Sequence, residues 1–88
     1  MGGVLKLSEL RDRDVVNLAD GRRVGVIGDL EIDPQSGQIT AVVVPGAARF
    51  FGLLGTDGSC TIPWGDIVTI GEDVILVKQA GASPARRG

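Results

Sequence analysis

Hydrophobic and polar side chains alternate between Arg23 and Asp33 with the period of a β-strand. A period of two is the pattern of a strand with one face buried and the other in water. The sequence therefore predicts a strand over this range, with Ile27 on the outward face. The inward face would consist of Val24, Val26, Gly28, Leu30 and Ile32.

Five more segments are short, apolar and rich in β-branched residues, which favours strands. No stretch keeps the i, i+3, i+4 apolar spacing for about ten residues, so no long helix is predicted. A single helical turn capped by Ser8 is expected near the start of the sequence. The predicted strands are 14–18, 39–44, 59–62, 67–70 and 74–77.

Glycine, proline and aspartate separate these segments in patterns typical of tight turns. Asp20-Gly21 predicts a type I′ hairpin turn. From Asp33 to Gly37, Pro34 would preset φ, the Asp33 carboxylate would accept backbone N–H groups and Gly37 would adopt a left-handed conformation. Pro45-Gly46 would end a strand, and 63–66 would form a turn or one 3₁₀ turn.

The predicted fold class is all-β. Five to six short antiparallel strands without a covering helix would curl into a small β-barrel, which removes the exposed sheet edges. Its interior would be filled by side chains and too narrow for a ligand. The domain would cover residues 1–80, and the Gly/Ala/Ser/Pro/Arg-rich segment 81–88 would be a disordered tail.

Composition excludes several functions. The 88-residue chain has no His and one Cys, which removes His-based catalysis, a disulfide framework and most zinc sites. Apart from Arg86 and Arg87, seven basic side chains face eleven acidic ones, and only three side chains are aromatic, so nucleic-acid binding is not expected. No apolar run reaches the roughly 18–20 residues of a transmembrane helix, and no secretory signal is recognisable. We therefore expect a cytoplasmic protein without cofactors.

Three candidate chemical sites have simpler structural explanations. Asp29, Glu31 and Asp33 are spaced to share one strand face and could bind Ca²⁺ or Mg²⁺, but alternate side chains lie roughly 7 Å apart along a strand. A solvated face, with Asp33 used in its turn, is favoured. Cys60 lacks a neighbouring base, so a buried strand position is favoured over a nucleophile. Trp64 is expected to complete the core.

Apolar residues exceed what the inside of a small barrel can hold. The last two strands are apolar on both faces, and an apolar, glycine-flanked segment lies at 50–55. Such a surplus usually marks an interaction surface, although the segment could instead cover one barrel wall. The predicted interaction residues are Phe50, Phe51, Leu53, Leu54, Ile75 and Val77.

The order of these features resembles the PRC-barrel family. The resemblance rests on 25–44, which runs from Gly-Val-Ile-Gly-Asp-Leu-Glu-Ile-Asp-Pro to Ala-Val-Val-Val, and on Ile-Pro-Trp-Gly-Asp-Ile at 62–67. Leu-Ser-Glu-Leu at 7–10 and the Phe-Gly-rich segment are similar to the sporulation-associated YlmC/YmxH group. The likeness covers roughly residues 5–78. It implies a barrel of the kind that docks proteins in the photosynthetic reaction-centre H subunit and in the ribosome-maturation factor RimM, with no catalytic residues to transfer.

The sequence thus predicts a non-enzymatic PRC-barrel protein–protein interaction module that self-associates as a homo-oligomer. The alternative is a module that binds a divalent cation through Asp29, Glu31 and Asp33, or a small anion through that face or the glycine-rich segment 52–58. No catalytic residue, cofactor, nucleic-acid partner or transmembrane segment is predicted.

Overall fold

The computed structural model describes residues 3–47 and 58–78 and the backbone of residues 83–84. This part of the chain contains one short helix, seven strands of four to six residues, one two-residue strand and one 3₁₀ turn. No helix in it has the length and apolarity needed to cross a membrane. The elements are α1 Leu7–Arg11, β1 Asp14–Asn17, β2 Arg22–Val26, β3 Asp29–Ile32, β4 Ile39–Val44, β5 Cys60–Pro63, the 3₁₀ turn Trp64–Asp66, β6 Ile67–Ile70, β7 Val74–Val77 and β8 Ser83–Pro84.

The strands form two four-stranded sheets. The first sheet has the order β2-β1-β7-β6, and the second has the order β3-β4-β5-β8. β1 and β7 pair in parallel, whereas the other pairs are antiparallel. The all-β prediction is confirmed, but the all-antiparallel arrangement is wrong. A parallel pair needs a long crossover, and here the chain from β2 to β6 connects β1 to β7.

The predicted closure of the barrel is also wrong for the described residues, because no strand pairing there joins the two sheets. The segment expected to be one strand from Arg23 to Asp33 is instead β2 and β3, which belong to different sheets. The chain crosses between the sheets at Ile27 and Gly28. β2 and β3 therefore do not pair with each other, although they follow one another along the chain.

An irregularity in β2 changes which side chains face inward. Val15 pairs with Gly25 and Val16 pairs with Arg23, so Val24 is an extra residue in the ladder. A β-bulge of this kind interrupts alternation. Val24 remains buried, but Val26 is 38% exposed and Ile27 is buried. The predicted outward position of Ile27 is therefore wrong.

The turn predictions are confirmed where side chains specify the turn. The Asp33 Oδ1 accepts the Gln35 N–H at 2.9 Å, and Gly37 has φ of 74°. β1 and β2 form the predicted hairpin, with Gly21 at φ 70°. Its turn is not type I′, because that turn needs positive φ at both central residues, and Asp20, like every other non-glycine residue in the described part of the chain, does not have positive φ.

Two further predictions concern the ends of the chain. The predicted helical turn exists, but it begins after Lys6 instead of Ser8, and Glu9 Oε1 accepts the Lys6 N–H at 3.3 Å. In the tail expected to be disordered, Ser83 and Pro84 pair with β5. The prediction therefore does not hold at these two residues, and the rest of 81–88 lies outside the described residues.

The core lies between the inner faces of the two sheets and consists mainly of short β-branched side chains. Leu10 of α1 contributes at one margin of the core. Four partly buried side chains pack against the core, namely Leu30, Trp64, Ile67 and Ile70. The predicted burial of Cys60 in a strand is confirmed. The buried cluster is Leu10, Val15, Val24, Ile27, Val42, Val44, Ala47, Cys60, Ile62, Ile75 and Val77.

Gly28 is required where the chain passes from one sheet to the other. A Cβ there would lie 2.7 Å from Pro45 Cγ and 2.8 Å from Pro45 Cδ, and the proline ring is fixed to the backbone. We expect Gly28→Ala to lower the free energy of unfolding by about 1–3 kcal/mol.

Gly65→Ala is the matched control, because nothing lies within 4 Å of its added Cβ. We expect it to change the free energy of unfolding by less than about 0.5 kcal/mol. Urea denaturation followed by circular dichroism measures both values. Equal losses for the two variants would contradict the steric explanation.

Candidate functional site

The predicted interaction residues fall into two groups. Phe50, Phe51, Leu53 and Leu54 lie outside the described residues, so their role stays a prediction. Ile75 and Val77 are completely buried in the core. The prediction that these two side chains face outward is wrong. Because β7 is apolar at every position, its sequence pattern did not determine which alternate pair faces the core, and Val74 and Leu76 point outward instead.

The acidic side chains of β3 and its turn are not gathered into a cluster of metal ligands. Asp29 Oδ1 accepts the Leu30 N–H at 2.8 Å, and Asp33 is used in its turn, as predicted. Glu31 is exposed. Within 3–47 and 58–78, no three or more His, Cys, Asp or Glu side chains are grouped so that they could hold a metal ion. The cation alternative therefore has no structural support, and the glycine-rich segment proposed for anions lies largely outside the described residues.

Cys60 is equally unsuited to nucleophilic chemistry. Its side chain is completely buried on β5, and its Sγ lies 3.8 Å from the Thr61 carbonyl oxygen. A nucleophilic thiol needs access to its substrate and a group that favours the thiolate. Cys60 therefore has a packing role.

An apolar groove of about 370 Å³ lies between the N-terminal segment and the margin of the second sheet. Sequence reasoning did not find it, because its walls come from three distant parts of the chain. Seven of its eight lining residues are apolar. The lining consists of Leu5, Lys6, Leu7, Leu10, Leu30, Ile39, Trp64 and Ile70.

Helix α1 positions one wall of the groove. Leu7 and Leu10 are three residues apart, so they share one side of the helix. Leu10 is 5% exposed and anchors the helix to the core, whereas Leu7 is 49% exposed and Leu5 is 39% exposed. The N-terminal segment thus packs against the core through Leu10, whereas the side chains of Leu5 and Leu7 remain partly exposed to solvent. The leucine spacing was the sequence signal that could have indicated this wall.

A bulge in β4 helps to form the second wall. Glu31 pairs with Ala41 and Ile32 pairs with Ile39, so Thr40 is an extra residue. Its hydroxyl donates to the Glu31 carbonyl oxygen at 3.2 Å. The extra residue shifts the alternation, which places Ile39 in the groove beside Leu30.

Trp64 lies in the groove and also packs against the core. The extended backbone of Pro63, with φ of −55° and ψ of 143°, leads into the 3₁₀ turn that carries it. The expectation that Trp64 completes the core is met in part, because the side chain is only partly buried and also lines the groove. Lys6 supplies the one charged side chain of the lining. The groove can therefore hold apolar side chains, with a cation at its margin for an acidic neighbour.

The described part of the chain is thus a small all-β module with an apolar groove and no cluster of three or more metal-ligating side chains. The chain belongs to the PRC-barrel domain family, whose profile matches residues 2–82.

Two proteins of Bacillus subtilis strain 168 are similar over most of their length. The "Probable sporulation protein YlmC" is 41% identical over 75 residues, covering 85% of this chain and 93% of the relative. The "Uncharacterized protein YmxH" is 38% identical over 85 residues, covering 94% and 99%. An uncharacterized protein of Clostridium acetobutylicum is 31% identical over 71 residues, covering 81% and 80%. The resemblance to this group found in the sequence is therefore confirmed.

Trp64 is the sole tryptophan and provides a direct probe of the groove. We expect the apolar anionic dye anilinonaphthalene sulfonate to bind there and to accept excitation energy from Trp64. Leu7→Glu should weaken this binding several-fold, because it places a like charge in the lining.

Val4→Glu is the matched control for the dye measurement. It adds the same charge to the same segment, but Val4 is 90% exposed and outside the lining. We expect dye binding to the control to remain close to that of the unaltered chain. Equal weakening by both substitutions would show that the dye responds to charge and not to the groove.

Proposed function

We propose that this chain is a non-enzymatic, cytoplasmic protein-docking module whose groove receives apolar side chains of a partner protein. The observation that carries the proposal is the accessible apolar groove beside Trp64. Ligand sites of this kind are concave and mostly apolar, with few polar groups to fix orientation. PRC-barrel domains are often protein-interaction modules, which supports the assignment.

The chemistry of the chain supports a role without catalysis. Its sequence contains no His, and its single thiol is completely buried. The acidic side chains of β3 and its turn accept local backbone hydrogen bonds at Asp29 and Asp33. A nucleophile, a base and a stabilising donor would have to converge for acyl or phosphoryl transfer, and these groups serve packing and turn formation instead.

The groove supports moderate affinity. Burying one large apolar side chain contributes about 1.5–3 kcal/mol. Association opposes this gain with an estimated 4–15 kcal/mol of lost freedom. Several anchors from the partner are therefore needed, and a reversible contact is the expected result. Lys6 favours a partner segment with an acidic residue beside its apolar anchors.

Self-association into a homo-oligomer is the second part of the proposal. Outward apolar side chains on the first sheet support it, since Val26 is 38% exposed, Val68 53% and Val74 36%. The predicted contribution of Phe50, Phe51, Leu53 and Leu54 remains part of this proposal. The cellular setting we propose is sporulation, because the relative YlmC is named a probable sporulation protein.

Site-specific photocrosslinking in the native organism tests the docking groove. Benzoylphenylalanine in place of Leu7 should yield a discrete crosslinked protein, because that position lies in the groove. Adding Leu5→Glu to the same chain should abolish the product, since Leu5 lines the same groove.

Benzoylphenylalanine in place of Val4 is the positional control. Val4 is more exposed than Leu7 but lies outside the groove lining. The product should therefore be absent or much weaker from this position. The same product at equal yield from both positions, or one that survives Leu5→Glu, would contradict docking in the groove.

A further inference from the structure

We infer that two copies of this chain pack through the outer faces of their first sheets, with the two β7 strands antiparallel across a twofold axis at Ile75. This inference rests on the proposed self-association and adds the surface and its geometry. It does not involve the groove. Two arguments carry it, one from the side chains on that face and one from the charges at its ends.

Strand register defines the outer face of the first sheet. Val15 and Asn17 of β1 are buried, as are Ile75 and Val77 of β7, so the residues between them point outward. Val16 pairs with Leu76, and Asp14 pairs with Val74. Two rows therefore cross the face, Val26-Asp14-Val74 and Arg23-Val16-Leu76-Thr69.

The middle of this face is apolar and locally neutral. Val16, Val74 and Leu76 lie side by side on adjacent strands. The Asp14 carboxylate, which lies between Val26 and Val74, is paired with Arg23 Nε at 2.7 Å. A paired carboxylate is far less costly to cover than an isolated one. The face therefore suits an apolar partner surface better than water.

The charges at the two ends of β7 favour a second copy as that partner. Glu72 and Asp73 precede β7, and Lys78 follows it, all three exposed. Glu72 and Lys78 are each three residues from Ile75 in sequence, on opposite sides. A twofold axis at Ile75 thus brings Glu72 of each copy near Lys78 of the other, twice in one interface.

The same axis also matches the apolar side chains. Val74 and Leu76 are each one residue from Ile75, on opposite sides. Val74 of one copy therefore faces Leu76 of the other. Twofold interfaces are self-complementary in this way. Stacked sheets lie about 10 Å apart, a gap that Val and Leu side chains fill and that Glu and Lys side chains bridge at the margin. The strands would cross at a small angle, as aligned sheets do.

A charge-exchange experiment tests the geometry. The mass of the unaltered full chain, measured by light scattering after gel filtration, should approach twice 9.1 kDa as concentration rises. Glu72→Lys and Lys78→Glu should each raise the dimer dissociation constant about tenfold, because each creates two like-charge contacts. An equimolar mixture of the two variants should recover the mass of the unaltered dimer, since both contacts become attractive again.

Substitutions on the face provide the second measurement. Leu76→Glu and Val74→Glu should each give a monomer. Ile32→Glu is the control, because Ile32 is 56% exposed on the second sheet, and its chain should remain a dimer. Circular dichroism establishes that each variant is folded, and Val74, at 36% exposure, keeps the test valid if Leu76→Glu does not fold.

The outcomes separate the two proposals. A monomeric unaltered chain would overturn self-association and this interface together. A dimer whose mixed charge variants stay as weak as each variant alone, or that survives Val74→Glu, would overturn this interface and leave self-association in place. Neither result bears on docking in the groove, which photocrosslinking measures separately.

Discussion

The contact between the inner faces of two small sheets is the constraint on which this molecule depends. Each sheet offers short β-branched side chains at alternate positions, such as Val15 and Ile75 from the first and Val42 and Ile62 from the second. Burial of these side chains is the main favourable term for a chain of this size, and alternate positions cannot all point inward. The apolar residues between them, including Val16, Val74 and Leu76, are consequently left on the outside. The exposed apolar surface is thus a direct result of how the core is made.

The two proposed surfaces arise from different parts of this arrangement. The groove forms where α1 lies along the margin of the second sheet and Leu10 alone is deeply buried. The outer face of the first sheet is apolar because every residue of β7 is apolar and only Ile75 and Val77 face the core. One surface is concave and accepts single side chains, whereas the other is broad and suits a matching sheet. Under the two proposals, a module of fewer than ninety residues would use separate surfaces for a different protein and for its own copy.

The sequence was most informative where local chemistry determines local structure. Ile39–Val44, Ile67–Ile70 and Val74–Val77 were predicted with the bounds that the structure has, because proline, glycine or a short polar loop ends each run. The Asp33 turn was predicted for the same reason. The sheet change at Gly28 and the bulges at Val24 and Thr40 were not predictable, since they depend on packing between distant strands. The burial of Ile75 instead of Val74 and the assembly of the groove depended on the same tertiary contacts. The family resemblance indicated a PRC-barrel domain but neither the groove nor the apolar outer face of the first sheet.

The parallel pairing of β1 with β7 has a consequence for how the chain reaches its native state. Asp14 pairs with Val74, so the first sheet is completed only when the two ends of the domain meet. Closing so long a loop has a large entropic cost, and contacts of such separation slow folding. During synthesis the β1 edge of the β1–β2 hairpin therefore stays unpaired until almost the whole domain has left the ribosome. The last strand of the first sheet to emerge is β7, which joins β1 to β6, so this sheet can be completed only after β7 has been made.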